Sequence, residues 1–244
     1  MNHAPAASGQ QDIRSINTSL MLKVFYGFAL LALLSLAISA AGKWFGHSIA
    51  MAGHTDDATM HEIVIGNDVI SVPANTIRFE RSRRDGSAER LDLYLHWPDL
   101  QGYSEPLRDD FNHKDGSRRI IFLSIEQRMM SRDMSGRFDP IYSSLIVSPG
   151  KAGPAGVTLH DFTAQSGYLN EVLAVVDRPG KDPFVARCLS DASAEESLAP
   201  CERDIQIGDN LSVSYRFPRE ILENWQELDA AIRKKAVGML KTAR

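Results

Sequence analysis

The residues best able to do chemistry in this chain are its seven histidines and two cysteines, so their spacing comes first. His47, His54 and His61 recur every seven residues, with Met51, Met60, Asp56 and Asp57 among them. On a helix that spacing stacks the rings on one face but about 10 Å apart, too far to share an ion. His54, Asp57 and His61, at i, i+3 and i+7, make a better chelate. It requires a helix through Gly53 and the neighbouring threonines, which helix propensity opposes. Metal binding here is an alternative reading, and an ordinary polar linker is the expectation.

Ser148-Pro-Gly-Lys151 has the four-residue spacing that sets a nucleophilic serine one turn from a lysine in penicillin-recognising enzymes. Pro149-Gly150 would break that turn, so the segment reads as a surface turn. No G-x-S-x-G, H-E-x-x-H, Walker A or G-x-G-x-x-G pattern occurs. His96, His113 and His160 stand alone in the sequence, and a hydrolytic site would need the fold to bring one of them to a remote carboxylate or hydroxyl. No catalytic, cofactor-binding or metal residue is assigned, no cofactor is expected, and the balance is against an enzyme. Cys188 and Cys201 are an even pair, most simply a disulfide if that part of the chain is exported. Closing a loop of that size would stabilise the domain by roughly 3 kcal/mol.

What must position these residues begins with a membrane segment. Val24 to Gly42 is nineteen residues without a charge, bounded by Lys23 and Lys43. A helix of that length spans roughly 28 Å, close to a hydrocarbon core of about 30 Å. The run exceeds the usual apolar stretch of a cleavable signal peptide, about 7–15 residues, so an uncleaved anchor is favoured. Arg14 and Lys23 precede it and Lys43 alone follows closely, which favours the N-terminus inside. The expected organisation is a short cytoplasmic tail at 1–23, a transmembrane helix at 24–42, a juxtamembrane linker at 43–60 and a β-rich periplasmic domain at 61–244, in a bacterial inner membrane.

After Lys43 there are 24 basic and 30 acidic residues, a net charge of −6. That excludes nucleic acid as an expected partner and argues against tight adhesion to anionic lipid as the main business of the domain. Apolar residues make up 43% of the 244, enough for one core.

The exported part reads as α+β, mainly an antiparallel β-sheet with a C-terminal amphipathic helix. His61–Val72 holds two β-branched runs around Gly66-Asn67, a hairpin signal. Residues 89–97 alternate strictly, with Leu91, Leu93, Leu95 and Trp97 on one face. The arginines at 81, 83, 84 and 90 flank an Asp85-Gly86 turn and are expected at a solvated hairpin tip. Residues 119–127 read as a central strand. Asp139-Pro140 supplies an N-cap and N1 proline for a short helix through Val147, stopped by Ser148-Pro149-Gly150. Further strands are expected near 157–163, 170–177 and 183–189, and a hairpin joins 203–207 to 211–217. From Pro218 to about Leu240, Ile221, Leu222, Trp225, Leu228, Ile232 and Met239 recur at helical spacing. The basic end of this helix, including Arg233, Lys234, Lys235 and Lys241, suits the helix dipole; a membrane-surface role competes with plain cover for the sheet.

Arg128-Met-Met-Ser-Arg-Asp-Met134 and Trp97–Tyr103 are loops rich in side chains that either anchor inward or make contact surfaces. With VPANTIRF, LDLYLHWPDLQGYSE, RMMSRDMSGRFDPIY and the stretch from Cys201 through SYRFPREILENW, the chain resembles bacterial membrane-anchored proteins of unassigned activity that have one N-terminal span and a β-rich exported domain. The resemblance implies location and single-pass architecture and transfers no site residue. The expected function is a membrane-anchored periplasmic binding or scaffold module contacting a protein or envelope component, with the lipid bilayer held through 24–42. A cell-envelope hydrolase and linker-histidine metal binding are the alternatives.

Overall fold

The structure is a computed structural model that describes residues 18–51 and 53–241, without the side chains of residues 18, 41–51 and 191–192. Most of the expected tail and the His47 side chain lie outside the described residues. The helix α1, Thr18–Met51, is continuous. Within it Ser19–Ala40 has a mean hydropathy of 2.1 with no residue of the run buried, so it is long and apolar enough to cross a membrane. The helix continues past Gly42 to Met51, where a linker was expected; the small residues there do not interrupt it. The body from Met51 onward is a separate compact unit.

That body contains, in order, β1 (Met60–Ile65), β2 (Asp68–Pro73), β3 (Gly86–Ser87), β4 (Arg90–His96), α2 (Arg108–Phe111), β5 (Ile120–Gln127), β6 (Lys151–Ala152), β7 (Thr158–Asp161), β8 (Glu171–Arg178), β9 (Lys181–Leu189), α3 (Asp191–Glu195), β10 (Cys201–Ile207), β11 (Leu211–Phe217) and α4 (Trp225–Met239). Eight strands form an antiparallel sheet in the order β4-β5-β11-β10-β9-β8-β7-β6. β2-β1-β3 form a second sheet. The α+β class read from the patterns is the one observed. β6 to β11 run as a meander, and β5 closes against β11, so the connection after β5 must cross the sheet to start β6 at the far edge.

Period-two alternation divides the large sheet. Leu91, Leu93, Ile121, Leu123, Val213, Tyr215, Phe184 and Ala186 point to the inner face, and Ile63, Ile65, Ile70 and Val72 of the small sheet pack over them with Leu228, Ile232, Ala236 and Met239 of α4. Burying an aliphatic side chain of this kind contributes about 1.5–3 kcal/mol, which is why both patterned elements dock here. The β1–β2 turn places Gly66 at φ +62°, a conformation that side chains avoid. The start of the C-terminal helix differs from expectation: Arg219–Asn224 is 3-10 and α-helix begins at Trp225.

The helix expected over 139–147 is absent. A 3-10 turn at Tyr142–Ser144 is followed by Ile146 bridging to Phe162, with Val147 N–H donating to Asp161 O and Thr163 N–H to Leu145 O. Pairing with the end of β7 overrides the local N-cap and proline signals. The arginine tip is also different. Gly86-Ser87 adds a short parallel strand to β1, Arg83 donates to Ile77 O and Gly53 O, and only part of the segment is solvated.

Candidate functional site

The outer face of the large sheet is covered at two places. At one end Tyr94 and Ile120 pack under Tyr103 and Phe111 from the connection between β4 and β5. At the other, Leu173, Val175 and Val185 lie under Met134 and Tyr142 of the crossing after β5. The strand registers set three rows of outward side chains across β4, β5, β11 and β10, the third starting under the first cover at Tyr94. They are Arg90–Glu126–Ser212–Gln206, Asp92–Ser124–Ser214–Asp204 and Tyr94–Phe122–Arg216–Glu202. Ser124 and Ser214 are small and adjacent, with longer side chains on both sides, so the middle of the face sinks into a trough of about 660 Å³. Ser193, Ser197 and Leu198, between β9 and β10, form one wall.

The trough is two-ended. At one end Arg90 pairs with Asp92 (2.9 Å), which also accepts from Ser124 (3.0 Å), and Glu126 lies across from Arg90. At the other, the Arg78 guanidinium sits 4.8 Å from the Phe122 ring centroid and Arg216 donates to Ala199 O (3.3 Å). Glu202 lies across from Arg216, so both ends carry arginines beside acids, and an open concave face of mixed charge suits recognition of a protein surface.

The isolated histidines have distinct fates. His96, at the end of β4, is buried, and its Nε2 lies 2.9 Å from Asp110 Oδ2; Ser117 donates to the other oxygen of the same carboxylate. The Ser117 hydrogen bond and the His96 contact hold the Asp110 carboxyl below the usual carboxylate range. A serine, a histidine and an acid have therefore met, but the acid stands between the other two. Ser117 donates to Asp110 and not to His96, while His96 Nδ1 is buried without a described partner, so the histidine is not placed to activate the serine. The cluster fixes the 103–119 cover onto β4. His113 Nδ1 meets Ser117 O (3.2 Å) in the same cover, and His160 Nδ1 meets Val147 O (3.0 Å) at the other edge.

His54 and His61 do not converge, and the chelate considered for His54, Asp57 and His61 is not formed. His54 stacks on Tyr103 (centroids 4.8 Å) and Tyr94 (5.4 Å), with Nδ1 3.2 Å from the Tyr94 hydroxyl. Asp57 caps Thr59 N–H, and His61 pairs with Asp85 (3.1 Å). Among the described residues no three metal-ligating side chains gather. Ser148 lies in an exposed bend and Lys151 opens β6, where it pairs with Asp161. Of the methionine loop, Met134 is buried while Met129 is 88% exposed.

Sequence reasoning missed the largest buried polar group. Cys188 and Cys201 face each other across β9 and β10 and are joined by a disulfide. Only that pair and Glu202–Arg187 connect the two strands, which then part. Arg203 fills the split: Nη1 donates to Val185 O (2.8 Å) and Ser135 Oγ (2.9 Å), and Nε to Asp229 Oδ1 (3.1 Å) of α4. Arg178 holds the other Asp229 oxygen at 3.0 Å. A ladder carbonyl left without its strand partner is thus satisfied by a guanidinium. The one available signal was an arginine in the inward phase of β10.

The fold and the trough together define an α+β module presenting an antiparallel sheet face. No family model and no curated protein matches the chain. Its fold is similar to that of Smlt3025, an immunity protein of the Stenotrophomonas maltophilia type IV secretion system, with a TM-score of 0.51 over 78% of this chain and 96% of that one, at 15% identity. At that identity the likeness is one of fold.

Proposed function

We propose that this chain is a non-catalytic binding module of the immunity type. It is anchored in a bacterial inner membrane through residues 24–42, with tail 1–23 cytoplasmic and the β-rich domain in the periplasm, where it holds a toxic protein partner. The open trough of mixed charge between the two covers carries this reading. The fold likeness to an immunity protein supports it, and so do the apolar helix and the disulfide, which fits an oxidising compartment.

The test pairs the full chain with the product of an adjoining gene, exported to the periplasm of a susceptible bacterial host. Cells carrying the chain are expected to survive and the two proteins to co-purify in fixed ratio. Ser214→Trp, which fills the trough, should abolish both while leaving the unfolding midpoint within the small range usual for surface changes. Neither complex nor protection with either neighbouring gene product counts against the proposal. Alkaline phosphatase fused after Lys241 should be active; an inactive fusion reverses the topology.

A further inference from the structure

On the inner side of the domain, away from the trough, a second concavity of about 460 Å³ opens between β2, the Trp97–Leu100 turn and α4. Roughly 300–1,000 Å³ is the usual range for small-ligand sites. Its walls are mainly apolar, with Met60, Pro73, Pro98 and Met239, and Lys234 and Lys235 stand on the α4 side. Neither lysine has a carboxylate partner among the described residues, whereas the nearby Lys241 is paired with Glu62. Burial holds Lys235 below the ordinary lysine range with no opposing charge to restore it. Asp99 is the one acid on the rim.

Two unpaired cations beside an apolar slot match an amphiphile with an anionic head, and on a domain of net charge −6 such a pair is a local exception. The slot also lies close to the membrane helix along the chain. Met60 follows Met51 by nine residues, a span of at most about 30 Å. The proposed membrane segment ends at Gly42, and nine further helical residues at about 1.5 Å each lead to Met51, so along the chain Met60 lies within about 45 Å of the bilayer surface.

We propose that this groove seats an anionic phospholipid of that bilayer, the lysines taking the phosphate and the apolar walls an acyl segment. The proposal rests on the anchor reading only for proximity, so it is tested without α1. Residues 53–244 are suitable because the core clusters, the disulfide and every strand lie within them. This soluble piece is sedimented with vesicles of phosphatidylglycerol and phosphatidylethanolamine, and separately with vesicles of phosphatidylcholine alone. It should partition onto the anionic vesicles, more weakly as salt rises, and Lys234→Glu with Lys235→Glu should weaken partitioning at least tenfold, from roughly fivefold per lysine. Met60→Asp should weaken it with the salt dependence retained. Circular dichroism should find all variants folded. Equal partitioning onto both vesicle types, no partitioning at all, or no loss in the folded lysine variant would overturn the proposal. The same surface binding free phosphate but no vesicle would overturn it too.

Discussion

Arg203 of β10 and Asp229 of α4 form an ion pair, Nε to Oδ1 at 3.1 Å, with the arginine fully buried where β9 and β10 separate. Burial pushes the Asp229 carboxyl up, but Arg203, with Arg233 and Arg178, outweighs it and the carboxyl is held below its ordinary range. On the arginine, burial opposes the charge and Tyr215 and Asp229 more than offset it. This pair joins sheet to helix.

Asp229→Ala should therefore leave Arg203 buried with its charge uncompensated, lowering unfolding stability by about 3–5 kcal/mol in urea titration. Replacing both together, Arg203→Met with Asp229→Leu, should recover only part of that loss, because Val185 O loses its donor and Arg178 its carboxylate. A single-variant loss below about 1 kcal/mol would contradict the buried-pair assignment. The sign with pH follows from a depressed carboxyl: its contribution is present above the unfolded value of about 3.9 and lost as pH falls through the lower folded value. Acid unfolding of the wild type should steepen below about pH 4, and Asp229→Asn should flatten it.

His54 clips the segment after α1 onto the domain, and the clip should be sensitive to pH. Burial, with Arg83 nearby, holds its imidazole below the ordinary 6.5. The folded form thus binds a proton less readily than the unfolded, so stability is full above about 6.5 and falls as pH drops from there to the folded value. Protection factors for hydrogen exchange, which correct for the slower intrinsic exchange at lower pH, should fall between pH 7.5 and 5.5 at Ala74 and Asn75, whose N–H groups donate to Thr59 O and Asp57 O. His54→Phe keeps a ring in the stack and should remove the pH dependence. If it does not, another group is responsible.

Ser117 should be dispensable for protection in the co-expression assay, because its hydroxyl is committed to Asp110. Asp110→Ala should instead loosen the 103–119 cover and cost about 1–3 kcal/mol by leaving the buried His96 without its partner. Loss of protection in a fully stable Ser117→Ala variant would bring the hydrolase reading back.

The disulfide holds β9 to β10 at their short paired stretch, across a sequence separation of 13. Cys188→Ala with Cys201→Ala should lower stability by about 3 kcal/mol on the chain-entropy model. Thiol labelling of the denatured, unreduced protein should find neither cysteine free; labelling of both would refute the pairing.

Alternation and helical spacing are carried by neighbouring residues, and that is why β4, the β10–β11 hairpin and the buried face of α4 were legible from the sequence. The short helix over 139–147 failed for the opposite reason. Asp139-Pro140 is a local signal, and Ile146 found a strand partner in Phe162, sixteen residues on.

By itself the sequence determined the apolar helix, the α+β class, the sheet's inward faces and the cysteines available to pair, because each depends on side-chain periodicity or residue type. Tertiary structure alone decided that Ser124 lies beside Ser214 to make a trough, that Asp110 stands between His96 and Ser117, and that Arg203 fills a parted sheet. The first and third depend on the register of strands far apart in the chain, the second on how the 103–119 connection folds back onto β4. A shift of one residue would turn Ser124, Ser214 and Arg203 to the other face, and no local pattern encodes that choice.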